Sequence, residues 1–589
     1  MLKWLKSFFQ AHWLPLVFSI IVGFISVLPQ ILAISALGDS YQGIHFLYID
    51  DEDNYMAMIR DIVNGHWLAG SPEYFEYKSI KPIMLPFGAY LYAVPIILFK
   101  IPIVWMMLIG KFLFPALLFL LVFFLTKKLT TDKESWSQHL NALTTGLLVT
   151  LGYELVDYGT VWKFFTGQVD YPIFSLWTRP VNPITGALLL FAFILVLLRY
   201  FETNKKYLLI LAGALQASMV YYFFSWGVSL SFSAVLLLIF LARRNYDSAK
   251  ALIYSLGIGV LFLLPYWIIV WNSLIGEADK NMAARNGMFF THAPIFNKVV
   301  LAGLILFLPF FIKEWYSHYK VKQVLENWWW FCLALLGASA WALNQQIITG
   351  RTVWPYHFVQ YTVALTMVAT LVFVFNYLKP KFPKTWLFFI SSTSVTIVGY
   401  GIAIAFTYQH QMTDFKELQR YQPLFTWVNS NAPKDCVILP TPSAYKTITL
   451  ITALTHCNTY ISGQVFIIPQ ERMMHNFLVS LRLQNIKPEE VRIYLENNPR
   501  LVSSNFFPDW NQMFEPDVKA LWFIEAVDNV VREYTNFYKQ DLGVELSKYK
   551  LDYVVSEGDI DPTLVKSLPS LRFVTKLDKM QVYQFGSDK

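Results

Sequence analysis

Four carboxylates stand side by side at Asp50, Asp51, Glu52 and Asp53, directly after an apolar stretch long enough to cross a bilayer. Crowded like charges repel, and each carboxylate taken from bulk water needs a partner. Such a cluster can do two kinds of chemistry. One acid among negative neighbours ionises reluctantly and can act as a general base towards an alcohol, while an oxygen-rich group can hold a divalent cation, magnesium or manganese. The simpler role is a helix start. Tyr55, Met58, Ile59 and Ile62 recur at helical spacing, which predicts a helix over 52–63, capped by Asp50 or Asp51 and ended by Gly65. A cap uses one carboxylate and the dipole one more, each worth about 0.3–1 kcal/mol. Four acids exceed that need. Asp50, Asp51 and Asp53 are therefore the candidates for a base, with Asp51, the middle of the cluster, the first choice.

The elements that must position these groups are membrane spans. The chain has 589 residues, 55% hydrophobic and only 15% charged, a composition that excludes an ordinary soluble enzyme. Apolar runs near bilayer length fall at 13–37, 102–125, 139–156, 182–200, 206–225, 227–242, 251–272, 297–312, 328–347, 357–378 and 385–407, roughly eleven spans. With the N-terminus in the cytoplasm, Lys3 and Lys6, Lys127, Lys128 and Lys133, Arg199, Lys205 and Lys206, Arg243, Arg244 and Lys250, Lys313, Lys320 and Lys322, and Lys379, Lys381 and Lys384 all fall inside. This orientation requires the apolar piece 83–99, broken by Pro86 and Pro95 and preceded by Pro82, to lie along the membrane rather than cross it. The first run is too long for a signal peptide and reads as a retained anchor. The net charge of +7 resides mostly in the anchoring cytoplasmic lysines and arginines, so it does not point to nucleic acid.

The expected fold is thus a polytopic α-helical bundle over 1–408, with a first outward loop at 38–101, followed by a soluble extracytoplasmic α/β domain over 409–589. In that domain "DCVILP", "NTYIS", "LDYVVSE", "LRFVTKLD" and "MQVYQFG" read as strands, the last two as a hairpin across Asp578 and Lys579. Three segments, 469–485, 488–498 and 517–540, and a stretch from 445 to 455 read as helices. Neither a phosphate-cradling loop nor a nucleophile motif is present in it. Cys332 sits within a span as a small buried residue; Cys436 and Cys457 lie in the outward domain, either bridged or apart.

Outward loops also carry Lys163, Arg179, Lys280, Arg285 and Arg351, cations of the kind that would hold a phosphate head group. Arg179 and Arg351 stand among tryptophan, proline and amide side chains, and His357 begins a span; each could equally be an interfacial residue reaching for the headgroups. Lys111, inside the second span, needs a partner such as Glu154 or Asp157. Trp162, Trp177, Trp226, Trp271 and Trp354 read as interfacial belt residues.

An acidic pair after the first span, an amphipathic helix with Tyr55, Arg60 and Asp61, and then "EYFEYKSIKPIMLPFGAYLYAV" resemble the first outward loop of GT-C glycosyltransferases, the superfamily of protein O-mannosyltransferases and aminoarabinose transferases. Pro82 and Pro86 stand where the family carries a double proline. The resemblance covers roughly residues 1–130 in motif and extends to about 408 in architecture. It implies an inverting transferase in the plasma (inner) membrane, moving a sugar from a polyprenyl-phosphate carrier to a hydroxyl of a lipid, glycan or protein acceptor on the outer face. It also implies an acid of the first loop as base, mapping onto Asp50, Asp51 or Asp53. Substrate contacts would come from Glu52, Tyr55, Arg60 and Lys78 of that loop, and from Arg179, Arg285, Arg351 and His357 of later ones. The competing readings are a flippase for the same lipid-linked sugar, which predicts internal repeats and midplane ionisable groups, whereas no repeat is obvious here and the ionisable groups collect in outward loops, and a catalytically silent scaffold.

Overall fold

The computed structural model describes the chain except for residues 1, 45–51, 81–85, 132–135, 157–161, 163–165, 167–175, 272–287, 382, 408–411, 463–467, 509 and 587–589. It divides into two compact units. The first comprises Met1–Gly38, Trp105–Tyr266 and Thr291–Met412; the second comprises Asp39–Val104, Trp267–Phe290 and Thr413–Lys589.

The first unit is helical. Among the described residues nine helices, from His12–Ser40 to Thr385–Phe406, are long and apolar enough to cross a membrane, so the chain is a multi-pass helical protein. Two of the eleven expected spans, 139–156 and 206–225, are not among the nine. Their helices, Trp136–Thr150 and Tyr207–Ser218, run for 15 and 12 residues. At a rise of about 1.5 Å per residue neither reaches across the hydrocarbon alone. Helices in this unit approach closely where side chains vanish: a Cβ on Gly213 would lie 2.7 Å from the Ser255 carbonyl of the Tyr246–Phe262 helix. Phe119, Phe123, Leu143, Leu147 and Ile397 form one core cluster. Outward faces stay apolar, with Ile253, Leu261 and Ile305 all more than half exposed, a surface suited to lipid and costly in water. Trp177, expected in the interfacial belt, is instead core: it is 1% exposed and its indole donates to the Val149 carbonyl at 2.6 Å.

The second unit contains a five-stranded sheet, made of β1 (Val437–Pro440), β2 (Asn458–Thr459), β3 (Tyr553–Glu557), β4 (Leu571–Leu577) and β5 (Met580–Phe585), in the order β2-β1-β3-β5-β4. β1 runs parallel to β2 and β3, whereas β5 is antiparallel to β3 and β4. The expected hairpin is present, with Leu577 facing Met580 and Asp578 in the left-handed region that Asp tolerates. Helices Gln470–Leu483, Val491–Asn497 and Leu521–Tyr538 cover the sheet, burying Phe477, Leu481, Val491, Val527, Val530 and Tyr534 against Val437, Leu439 and Val554. A disulfide between Cys436 and Cys457 ties the leading ends of β1 and β2 together.

This unit is not made of the C-terminal region alone. The loop after the first apolar helix, Asp39–Val104, and the short segment Trp267–Phe290 are built into it together with Thr413–Lys589. The carboxamide of Gln419 accepts from the backbone N–H groups of Gln42 and Ile44 at 3.0 and 3.1 Å and donates to the Ile44 carbonyl. The Glu52–Val63 helix packs on Ile448–Leu454, and Arg60 Nη2 donates to the Leu454 carbonyl at 3.3 Å. Further along, the N–H of Thr459 donates to the Glu73 carbonyl at 3.0 Å, extending β2 with the backbone of the loop. Gly65 ends the helix as its position predicts, at φ 106°, with its N–H bonded to the Ile62 carbonyl and the next N–H bonded to that of Asp61. The apolar piece beyond forms a 13-residue helix, Phe87–Phe99, with Leu98 and Phe99 exposed.

The Asp61 carboxylate and Lys78 ammonium pair inside this unit, both sealed from water. Asp61→Asn leaves the ammonium without a counter-charge and should cost about 3–5 kcal/mol, whereas Asp61→Asn with Lys78→Met should recover much of that; denaturant unfolding of the purified protein measures both. The disulfide closes a 21-residue separation, so Cys436→Ser should lower stability by about 3 kcal/mol. A thermal scan showing no difference between oxidised and reduced protein would refute this.

Candidate functional site

Of the acidic stretch, Asp50 and Asp51 lie outside the described residues. Glu52 and Asp53 form the first turn of the Glu52–Val63 helix, where negative charge favours the N-terminal dipole. Glu52 is fully buried, Asp53 is half-buried, and the Asp53 Oδ1 accepts from the N–H of Asn54 at 2.9 Å. The helix thus directs at least one carboxylate inward, which a simple exposed cap does not require.

A second acid joins this end of the helix, one not singled out in the sequence: Glu73. Its side chain is 2% exposed and accepts from the Ser462 hydroxyl, while its Oε1 has no hydrogen-bond partner. Burial pushes the Glu73 carboxyl up to about 8; the Ser462 hydrogen bond pulls it back in part, and the nearby Asp53 charge raises it further. Glu73 therefore keeps its proton at neutral pH beside a half-exposed aspartate. Two carboxyl groups in unlike surroundings are the arrangement by which one protein site provides both an acid and a base. The trace in the sequence was slight: Glu73 sits in "SPEYFEYK", an acid among aromatic residues that bury it.

The other first-loop residues expected to contact substrate have partners within the second unit. Lys78 is held by Asp61, whose carboxyl is pushed up by burial and brought partly back by the ammonium. Arg60 bonds the Leu454 carbonyl, and Tyr55 is half-buried on the same helix. Among the described residues no three His, Cys, Asp or Glu side chains gather as a metal site.

In the first unit several cationic and aromatic groups converge. Lys111, 2% exposed, lies with its Nζ 3.5 Å from the Thr178 carbonyl, and the next residue is Arg179. Arg179 is half-buried and close enough to His357 to act on it electrostatically. His357 stacks on Phe224 with ring centroids 4.9 Å apart and meets Trp354 at 5.4 Å. Glu154, considered above as a partner for Lys111, accepts from the Leu176 N–H at 3.0 Å instead, which shapes the 3₁₀ turn Leu176–Thr178. Arg351 opens a short extended stretch with its side chain exposed; its carbonyl accepts from Gln345 and Thr349. Asp157, Lys163, Lys280 and Arg285 lie outside the described residues. Arg179 and His357 thus lie within electrostatic reach of each other, and Lys111 approaches the backbone at the residue before Arg179.

No protein-family model and no curated protein matches the chain.

The raised Glu73 carboxyl has a consequence for stability. Between about 4.5 and about 8 the folded state holds a proton that the unfolded chain releases, so stability falls as pH rises through that window. Glu73→Gln should flatten the fall and raise the melting temperature most at the alkaline end; an unchanged pH profile in this variant would contradict the assignment.

Proposed function

We infer that the protein is a membrane glycosyltransferase of GT-C type that takes a sugar from a polyprenyl-phosphate carrier and passes it, with inversion, to an acceptor hydroxyl. The reading rests above all on the inward-directed acidic start of the Glu52–Val63 helix, following a membrane-length apolar helix and paired with a second carboxyl, Glu73. An acid there, Asp51 in the first place and Asp53 or Asp50 otherwise, takes the proton of the acceptor hydroxyl as its oxygen attacks the anomeric carbon. The bond from that carbon to the phosphate oxygen breaks, and the polyprenyl phosphate leaves with the electron pair. Arg179 and Lys111 are the candidate cations to stabilise that phosphate, with His357 beside Arg179 as a further contact, because cations that meet the growing negative charge lower the barrier. Arg351 and Arg285 are further candidates on the same chemical ground. The distribution of Lys and Arg supports a cytoplasmic N-terminus. The Cys436–Cys457 bridge supports an oxidising compartment for the second unit, outside the cytoplasm of the plasma membrane.

The test uses proteoliposomes with a radiolabelled polyprenyl-phosphate sugar and candidate acceptors. Asp51→Asn or Asp53→Asn should reduce transfer by about 10²–10⁴-fold while leaving insertion and folding intact. Lipid movement across the bilayer without any transfer would replace the transferase by a flippase, and full transfer in all three of Asp50→Asn, Asp51→Asn and Asp53→Asn would remove the base from this loop.

A further inference from the structure

Arg472 is an uncompensated charge in the middle of the second unit. It is 1% exposed, on the inner face of the Gln470–Leu483 helix together with His475 and Asn476, at the i, i+3, i+4 spacing that places three polar groups on one side. Its guanidinium carbon lies 3.6 Å from the ring centroid of Tyr549, 4.5 Å from that of Tyr460 and 5.6 Å from that of Tyr74. Nη2 donates to the Tyr460 carbonyl at 2.9 Å, and the Tyr460 and Tyr549 hydroxyls lie close enough to interact with the guanidinium, but Nε and Nη1, both buried, meet no well-aligned acceptor. No ion pair reaches it among the described residues. A guanidinium keeps its charge when buried, and ring faces offset only part of the cost of desolvating an ion.

The surrounding charges are already committed or stand off. Glu545 pairs with Lys548 at 2.7 Å and lies 3.9 Å from His475. His475 itself is pushed down to about 3 by burial and by the neighbouring Arg472 and Lys548, so it stays neutral, and its Nε2 meets the Tyr460 hydroxyl at 2.9 Å. Glu76 and Glu471 act on the tyrosines from an exposed rim without bonding the guanidinium. In the same network Asn476 donates to the Tyr74 hydroxyl at 3.0 Å but its Oδ1 is unmet, as is Oε1 of Glu73, the residue preceding Tyr74.

We propose that this cluster is a binding site for a hydroxylated carboxylic acid of the uronate type, its carboxylate on Arg472 and its hydroxyls on the unmet oxygens of Asn476 and Glu73. The unmet guanidinium donors require an anion, and the unmet Asn476 Oδ1 and the protonated Glu73 carboxyl suit hydroxyls on the same ligand, since a hydroxyl both donates and accepts. Rim acids repel a dianionic phosphate more than a singly charged carboxylate. Tyrosine faces suit a sugar ring, and half-buried Tyr549 is the cover the ligand displaces. This deepens the transferase reading by naming the class of acceptor, an acidic sugar, yet binding is measured without transfer, so either idea can fail alone.

The experiment follows the melting of the detergent-solubilised full-length protein at neutral pH with sodium glucuronate, glucose, sodium acetate or phosphate at matched ionic strength. Glucuronate should give a saturable stabilisation, acetate a weaker one, and glucose and phosphate none. In Arg472→Gln the glucuronate affinity should fall roughly tenfold or more, the loss expected for a charge-assisted contact. Tyr549→Ala, at a partly exposed position that tolerates truncation, should also shift the affinity several-fold and serves where the arginine variant does not fold. The proposal is overturned if glucuronate gives no saturable shift, if glucose, acetate or phosphate matches it, or if either variant binds as the wild type does.

Discussion

The Asp61 carboxylate and the Lys78 ammonium are both shut away from water, 17 residues apart in one loop, and neither could stay there without the other. An isolated charge in a medium of low dielectric costs several kcal/mol, and the mutual attraction of the pair offsets that only when the geometry is held. Holding it requires a rigid surround, which the C-terminal segment supplies: Ile448–Leu454 under the Glu52–Val63 helix, Thr459 against the Glu73 backbone, and Gln419 closing on residues 42–44. A segment that would otherwise be a mobile crossing between two membrane helices becomes the floor of a folded unit. The acidic helix start then has a fixed direction, which a base needs if it is to meet a hydroxyl at hydrogen-bond distance.

The same requirement sorts the remaining polar groups. Arg60 meets a carbonyl, Glu73 meets a serine and otherwise keeps its proton, and His475 stays neutral against Tyr460. In the first unit Lys111 approaches the Thr178 carbonyl, and the next residue, Arg179, lies within electrostatic reach of His357. Buried atoms left unmet, above all on Arg472, Asn476 and Glu73, are the places where a ligand has something to offer.

Local rules carried the reading a long way where a single element decides the outcome. The Glu52–Val63 helix, its end at Gly65, the hairpin at Asp578 and most strands and helices of the sheet region fall where spacing and turn residues place them. Membrane helices were equally legible, because a run of apolar residues needs no partner in sequence to announce itself. Failures came where contacts between distant segments set the result. Trp177 has the composition of a belt residue but finds the Val149 carbonyl 28 residues away, and the helices at 136–150 and 207–218 stop short of bilayer length despite apolar flanks. Glu73 and Arg472 carry no motif. Their burial depends on Ser462 and on Tyr74, Tyr460 and Tyr549, which lie up to several hundred residues apart.

By itself the sequence determined the membrane class, the gathering of four acids behind the first apolar run and the strand and helix pattern of the last third, because each follows from composition or from periods of two and 3.6 residues. Tertiary structure alone decided that the first loop and the C-terminal region fold as one unit, that Cys436 and Cys457 are joined, and which of the polar side chains are satisfied. The physical reason is that hydrogen bonds, ion pairs and burial are properties of neighbours in space, and no local period records which distant residue will become a neighbour.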